Sequence, residues 1–498
     1  MLYKKLVEYS TSGVYPMHMP GHKRAIDKSA ARLPYDIDIT EINGFDNLQN
    51  PRGLLLETAE LAASLYGSDK AFLLVGGSSV GILAAIGAHV PRGGKLLISR
   101  NSHISVHNAI ALFGLHPVYI DPDVDETTGI PISIPPDSIR TAIAKEPDVK
   151  AVVITSPTYE GFISDIKTIA DIAHNNDIPL IVDSAHGAHL GFSPDFPPDA
   201  VSSGADVVVM SLHKTLPALT QCALLHIRGA RANKREITRL LSVFQTTSPS
   251  YVLMASIDRC LHFIASGKDT LFREYSKKLN RFGSAISHLK HINVTGYSAD
   301  SLPSHTFSFD RSKLIIAFKS AAKQMNHSPQ HICGELNLKR LNTKALSGIQ
   351  LAEVLRNKYK IEVEAASANY ALAMTSICDS EDSLKRLADA LCTIDKEIDV
   401  GFCDTEVYSP ALLSLQAPPM LTLPCNALAM PGHEVALEAA LGLMSLEYVW
   451  AYPPGIPLIV PGEEITAEFI SHLDFLHRCG VELKSTRNAL PSIMTAEN

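Results

Sequence analysis

The chain lacks any long apolar run. No stretch approaches the ~18 uninterrupted apolar residues of a membrane span, and the opening MLYKKLVEYSTSG holds no apolar core of a signal peptide. The reading is a cytoplasmic protein with no membrane partner. Blocks of one charge sign are absent too. A net charge of −8 over 498 residues, 19% of them charged, argues against a nucleic-acid footprint. It does not exclude a basic substrate, because a pocket can be acidic whatever the total. The 8 cysteines (Cys222, Cys260, Cys333, Cys378, Cys392, Cys403, Cys425 and Cys479) include no C-x-x-C pair, as befits reduced cytosolic thiols. There is no H-E-x-x-H and no Gly-Lys-Ser/Thr of a Walker A loop. Internal repeats and low-complexity segments are also missing. What remains is an ordinary globular composition, 46% hydrophobic, long enough for two or three domains.

The chain is organised around Gly204–Leu216, GADVVVMSLHKTL. Val207–Met210 reads as a short buried strand that runs out into Ser211, His213 and Lys214. A second strand, Pro179–Asp183, ends in a carboxylate. In an α/β protein, ligands bind outside the carboxyl ends of the strands. A lysine and an aspartate on neighbouring strand ends suit pyridoxal phosphate chemistry: the lysine bonds the aldehyde, and the carboxylate keeps the pyridine nitrogen protonated. The bland alternative for Lys214 is a solvated surface cation.

Alternation surrounds these two strands. Strands are expected at Ala71–Val75, Lys95–Ser99, Pro117–Ile120, Val149–Thr155, Asp206–Met210 and Cys222–Ile227. Helices are expected over 53–66 (closed by Gly67), from about Val80 to Val90, and at Ile104–Leu112, Asp137–Ala144 and Asp165–His174. This pattern means a mostly parallel sheet covered on both faces. Helical patterns fill Ala230–Leu289, and the turn-rich His291–Ser308 is the best domain boundary. Strands at Leu314–Phe318 and Tyr370–Ile377, and a helix through Leu384–Cys392 capped by Asp379 or Ser380, indicate a smaller α+β domain. The division is an N-terminal segment 1–50, a large domain 51–290 and a C-terminal domain 310–498.

Several polar residues fall where chemistry would be done. Gly76-Gly77-Ser78-Ser79 joins a strand to a helix, and small residues with helix-start amides and two hydroxyls make a phosphate site; a plain tight turn has the same look. His103 could lie on a cofactor ring or simply begin a helix. Asp183, His186 and His189 could form a metal site, or His186 could support Asp183 and a cofactor. Ser211 and His213 could donate to a phosphate. Lys214 must be neutral to attack a carbonyl, which partial burial favours.

In this order, the features resemble the fold-type I pyridoxal phosphate enzymes and, more narrowly, the bacterial ornithine/lysine/arginine decarboxylase family. The matching stretches are His18-Met-Pro-Gly-His-Lys23, Asp38-Ile-Thr-Glu41 with Gly44-Phe-Asp46, Arg100-Asn-Ser-His103 and Ser156-Pro-Thr-Tyr159. They continue with Asp183-Ser-Ala-His-Gly-Ala-His189, Ser211-Leu-His-Lys-Thr215, Tyr452-Pro-Pro-Gly-Ile-Pro457 and Pro461-Gly-Glu463. The resemblance implies that Lys214 carries pyridoxal 5'-phosphate, Asp183 pairs with its ring nitrogen and His103 stacks on the ring. Ser78, Ser79, Ser211 and His213 would bind its phosphate, with His186 beside Asp183. It also implies a homodimer or small homo-oligomer, with the PGHK stretch serving the interface; that stretch starts too early to follow the wing domain of larger members. Ser102, Ile104, Ser184 and Gly76 depart from the family pattern and leave substrate preference open.

The reaction so implied is α-decarboxylation of a basic amino acid in polyamine biosynthesis, with arginine slightly favoured over lysine and ornithine by analogy with compact relatives. Glu463 and Glu464 are candidates to read the basic tail. Aminotransfer or another fold-type I reaction is the nearest rival, for which Arg340, Arg356 or Arg386 would hold the α-carboxylate. A non-catalytic decarboxylase-like regulator and a nucleotide-binding module are further alternatives.

Overall fold

Lys214 and Asp183 project from one edge of a seven-stranded sheet in the computed structural model, which describes residues 13–17, 39, 41, 45–125, 128–298, 301–319, 347–399, 417–452 and 455–497. His18–Lys23, Asp38, Thr40, Gly44, Arg340, Pro453, Pro454, Cys333 and Cys403 lie outside those residues, as does most of the N-terminal segment 1–50.

Along the chain, β1 (Tyr15–Met17) precedes β2 (Lys70–Leu74), β3 (Lys95–Ser99), β4 (His116–Ile120) and β5 (Val149–Thr155). After these come the two-residue β6 (Phe162–Ile163), β7 (Leu180–Asp183), β8 (Val207–Ser211) and β9 (Ala223–Ile227). The large sheet has the order β2-β9-β8-β7-β5-β3-β4, and only β9 runs against its neighbours. Every residue of β7, β8 and β9 is buried, which is why these strands read as continuous apolar runs without alternation. On one face, helices Gly77–His89 and Lys234–Phe244 pack Ile82, Ile86 and Leu240 against Leu74, Ile98, Val209 and Leu225. On the other, the 36-residue helix Tyr251–Ile286 brings Met254 and Leu261 to Leu73, Val182 and Val208.

Two glycines set this frame. Gly77 has φ +74 and completes the turn after β2 by itself, so Ser78 and Ser79 already stand in the first helical turn, not in the preceding turn. At Gly81 a Cβ would stand 2.8 Å from Leu74 Cδ1 and from Val209 Cγ1. Glycine there lets the helix sit directly on β2 and β8. Because the strands are parallel, their carboxyl ends deliver Gly76–Ser79, Arg100–His103, Ser156–Tyr159, Asp183–His189 and Ser211–Lys214 to the same edge.

Downstream come β10 (Ile292–Val294), β11 (Ser308–Phe309), β12 (Lys313–Phe318), β13 (Ile361–Val363), β14 (Ala365–Ala366) and β15 (Tyr370–Met374). An antiparallel sheet of order β10-β12-β15-β14 is backed by helices Gly348–Tyr359 and Glu381–Asp399. Ser380 starts the second helix, its Oγ accepting from Ser383 N at 3.1 Å. β10 lies inside the stretch read as a boundary; three residues are too few for alternation to show. β11 pairs with β6, and β1 runs parallel to β13 with Met17 opposite Val363.

The last strands, β16 (Gly432–Ala436), β17 (Val449–Ala451), β18 (Ile456–Ile459), β19 (Leu483–Ser485) and β20 (Ser492–Ala496), form sheets β16-β20 and β18-β17-β19. Helix Ala467–Arg478 closes a separate core of Val449, Ile459, Phe469, Leu473 and Ile493. Among the described residues no helix is long and apolar enough to cross a membrane.

Candidate active site

Lys214 lies in the single helical turn Leu212–Thr215 that follows β8. Its Nζ is 2.9 Å from His186 Nε2. Burial lowers the lysine pKa and nearby Lys313 adds to that, while Asp183 and Glu364 oppose it. The neutral amine a carbonyl requires is thus favoured by the site itself. Asp183 ends β7, next to β8 in the sheet, and is 3% exposed. Its carboxylate accepts from Ala185 N at 3.1 Å. Burial raises its pKa and Lys214 pulls it back. A carboxylate of this kind suits a protonated ring nitrogen, because a cationic partner would repay its desolvation.

His186 contacts Lys214 rather than the Asp183 carboxylate, a closer relation to the amine than the sequence pointed to. Burial holds its imidazole neutral, and its Nδ1 has no partner. The edge of the Tyr159 ring meets it with centroids 5.0 Å apart. His189 turns elsewhere: its Nε2 is 3.1 Å from Asp310 Oδ1, and Asp310 also takes Lys313 Nζ at 2.9 Å. Asp183, His186 and His189 therefore do not share a centre, and the described residues contain no group of three or more His, Cys, Asp or Glu placed to hold a metal.

His103 caps helix Ile104–Phe113, its Nδ1 accepting from Ser105 N at 3.2 Å. Both roles considered for it are compatible, since capping uses only one edge of the ring. Burial, helped by Lys214, pushes its pKa down to about 4. Ser78 and Ser79 sit at the start of helix Gly77–His89, where no side chain caps the first turn. Ser211 is fully buried with an unpartnered Oγ, and so is the Thr215 hydroxyl. His213 Nδ1 donates to Cys222 O at 3.0 Å, which leaves Nε2 available.

Orphaned hydroxyls, open helix-start amides, a desolvated carboxylate and a buried neutral-leaning lysine converge here. These residues fit pyridoxal phosphate in the roles given above. An empty turn or a solvated lysine would not leave the Ser211 and Thr215 hydroxyls buried and unsatisfied.

Sequence reasoning missed Glu364, which follows β13 and accepts from Tyr159 Oη at 2.7 Å. Its charge reaches Lys214. Nothing in KIEVEAA separates it from Glu362, which pairs with exposed Arg356. The acids it did single out are placed otherwise. Glu463 is buried, its Oε2 taking Arg100 Nη2 at 3.2 Å and Val460 N at 2.8 Å. No hydrogen bond or ion pair joins Glu463 or Glu464 to Lys214, Asp183 or His186. Arg356 and Arg386 are exposed, the latter bonded to Tyr359 O. Gln245 was also unforeseen: its Oε1 accepts from Val75 N and so fixes the end of β2.

Comparison with known proteins follows the same lines. Residues 1–383 match the model of the Orn/Lys/Arg decarboxylase major domain, and residues 424–488 that of the Orn/Lys/Arg decarboxylase C-terminal domain. Arginine decarboxylase of Bacillus subtilis is 32% identical over 482 residues, which cover 95% of this chain and 92% of the relative. Constitutive lysine decarboxylase of Escherichia coli is 26% identical over 558 aligned positions, 95% of this chain and 76% of the relative. Among solved structures, lysine decarboxylase of Francisella novicida superposes with a TM-score of 0.70 at 20% identity, covering 89% of this chain and 73% of that one. That likeness establishes the fold: a fold-type I large domain followed by smaller C-terminal α+β structure.

Proposed function

The chain belongs to the Orn/Lys/Arg decarboxylase family, and from that premise we propose that it removes the α-carboxylate of arginine with pyridoxal 5'-phosphate held at Lys214. The observation that carries this reading is the Lys214–His186 contact of 2.9 Å beside the buried Asp183. Arginine is favoured because relatives named arginine decarboxylase align over nearly the whole of both chains.

Each residue has a task. Lys214 would hold the aldehyde, Asp183 the ring nitrogen, and Ser78, Ser79, Ser211 and His213 the phosphate, and His103 would face the ring. The chemistry supplied by the cofactor, when bound, would be a sink for the electron pair left behind as carbon dioxide departs. Lys214 Nζ, bonded to His186 Nε2, would take a proton from the substrate's ammonium group and is placed to return it to the carbon that loses the carboxylate. His103 and His186 are kept neutral by burial, so neither competes with Asp183 for the ring charge. Glu364, held by Tyr159, supplies the negative charge that a guanidinium tail needs.

The same reading makes the protein a cytoplasmic homodimer or small homo-oligomer in polyamine biosynthesis, with residues 51–290 carrying the cofactor. Support comes from the family, and light scattering on the purified protein tests the assembly. The decisive experiment is mass spectrometry of products from protein, cofactor and equal arginine, lysine and ornithine. Agmatine is expected. Cadaverine or putrescine would reassign the substrate, and 2-oxo acids would replace decarboxylation by aminotransfer.

A further inference from the structure

The C-terminal strands grip one short segment of the large domain. Ile104 N donates to Gly455 O at 3.2 Å, and Tyr448 Oη to His107 O at 3.3 Å. Arg100 Nη2 donates both to Leu458 O at 3.1 Å and to Glu463 Oε2 at 3.2 Å. The same Glu463 oxygen takes Val460 N, so one carboxylate ties the guanidinium to the loop after β18. All four contacts fall on Arg100–His107, the turn that carries His103. Gly455 itself, at φ +88, approaches so closely that a Cβ there would stand 3.5 Å from His103 Nε2.

The Arg100–Glu463 pair is costly to build. Arg100 is 7% exposed and Glu463 0%, and a buried ion pair is seldom better for stability than apolar residues of the same volume. Arg100 Nη1, Glu463 Oε1 and the Tyr119 hydroxyl are buried without partners. Stability alone is a poor account of such an arrangement; fixed geometry is a better one.

We propose that Arg100 and Glu463 are positioning residues, through which the C-terminal strands hold the His103 ring at the working distance from the reaction centre. This rests on the reading that His103 faces the cofactor. Neither residue touches the reacting atoms, and the carboxylate acts as a geometrical acceptor rather than as a charge.

The test compares arginine turnover by the wild type, Glu463→Gln and the double variant Arg100→Met with Glu463→Leu, which leaves no unpaired buried charge. The double variant is expected to lose about 10²-fold in kcat, the usual effect of misplacing a group by roughly 1 Å, with KM unchanged because Glu364 is untouched. Glu463→Gln keeps the acceptor and restores kcat to within about threefold of wild type. Should the double variant not fold, Arg100→Lys keeps the charge but cannot reach both acceptors, and a fall in kcat at constant KM is expected again. Wild-type kcat in a folded variant that lacks the pair overturns the proposal. If the wild type itself turns over no basic amino acid, the parent reading fails instead. The grip is then judged by hydrogen exchange at Ile104–His107 in the cofactor-free protein: faster exchange in the double variant than in Glu463→Gln supports it, and equal exchange overturns it.

Discussion

Lys214 Nζ and His186 Nε2 meet at 2.9 Å although they come from different strand ends. Burial lowers the pKa of each, which shifts both the amine and the imidazole towards their neutral forms. Under the proposed function, His186 would orient the amine. Replacing it by alanine should lower kcat by about 10²-fold, the usual share of a positioned acid or base, and leave the thermal transition nearly unchanged. Steady-state kinetics with a parallel melting curve separate these effects. Equal kcat in the variant would remove His186 from the mechanism.

Glu364 is the acid nearest the task of reading a basic tail. Glu364→Gln keeps the Tyr159 hydrogen bond but removes the charge. A lost charge-assisted pair of about 1.5–3 kcal/mol corresponds to a roughly 10- to 100-fold rise in KM for arginine. The effect should fall on KM more than on kcat, and it should shrink for citrulline, whose tail is neutral. A variant with unchanged KM would move tail recognition elsewhere.

Among the described residues burial lowers the pKa of six histidines: His103 to about 4, His226 to about 3, His107 and His186 well below the ordinary value, and His89 and His213 below it. In the unfolded chain each binds a proton near pH 6.5. The unfolded state therefore takes up more protons below that pH, and stability falls as pH drops from about 6.5 towards 4. Melting temperatures at pH 7.5, 6, 5 and 4 should decline most steeply below pH 6. A flat profile would mean that these imidazoles are not desolvated.

Gly81 packs helix Gly77–His89 onto Leu74 and Val209. Gly81→Val forces branched atoms into a 2.8 Å gap and should cost about 1–3 kcal/mol. Val209 lies two residues before Ser211, so the strain also reaches the cofactor edge. A lower melting temperature together with weaker cofactor binding is expected from calorimetry and cofactor titration.

Much of this was legible in the sequence for physical reasons. Each strand and helix expected between residues 53 and 227 forms, with ends displaced by no more than three residues, because buried parallel strands impose long apolar runs. The placement of Lys214 beside Asp183 was legible because strand ends in such a sheet share one edge. Glu364, Gln245 and the grip of Gly455 on the His103 turn were not found. They depend on contacts across about 170 to 350 residues of chain, and an isolated glutamate carries no local signal of what lies opposite. The burial of Glu463, a candidate together with Glu464 for reading the tail, was hidden for the same reason: the PGEE turn looks exposed until Arg100 is seen beneath it.

Glu463 itself yields the last prediction. Burial outweighs the pull of Arg100 and the Val460 amide, raising its pKa to about 7 from an ordinary value near 4.5. Between those two values the folded state binds the proton and the unfolded state does not. Stability from this group is present at low pH and is lost as pH rises towards 7, the reverse of the histidine effect. Glutamine mimics the protonated form at every pH. Glu463→Gln should therefore match the wild type at about pH 4 and exceed it at about pH 8 by up to about 3 kcal/mol. Paired melting curves at the two pH values measure this. A variant less stable at pH 8 would show that the ionised pair contributes more than its desolvation costs, and that charge as well as geometry joins the C-terminal strands to the His103 turn.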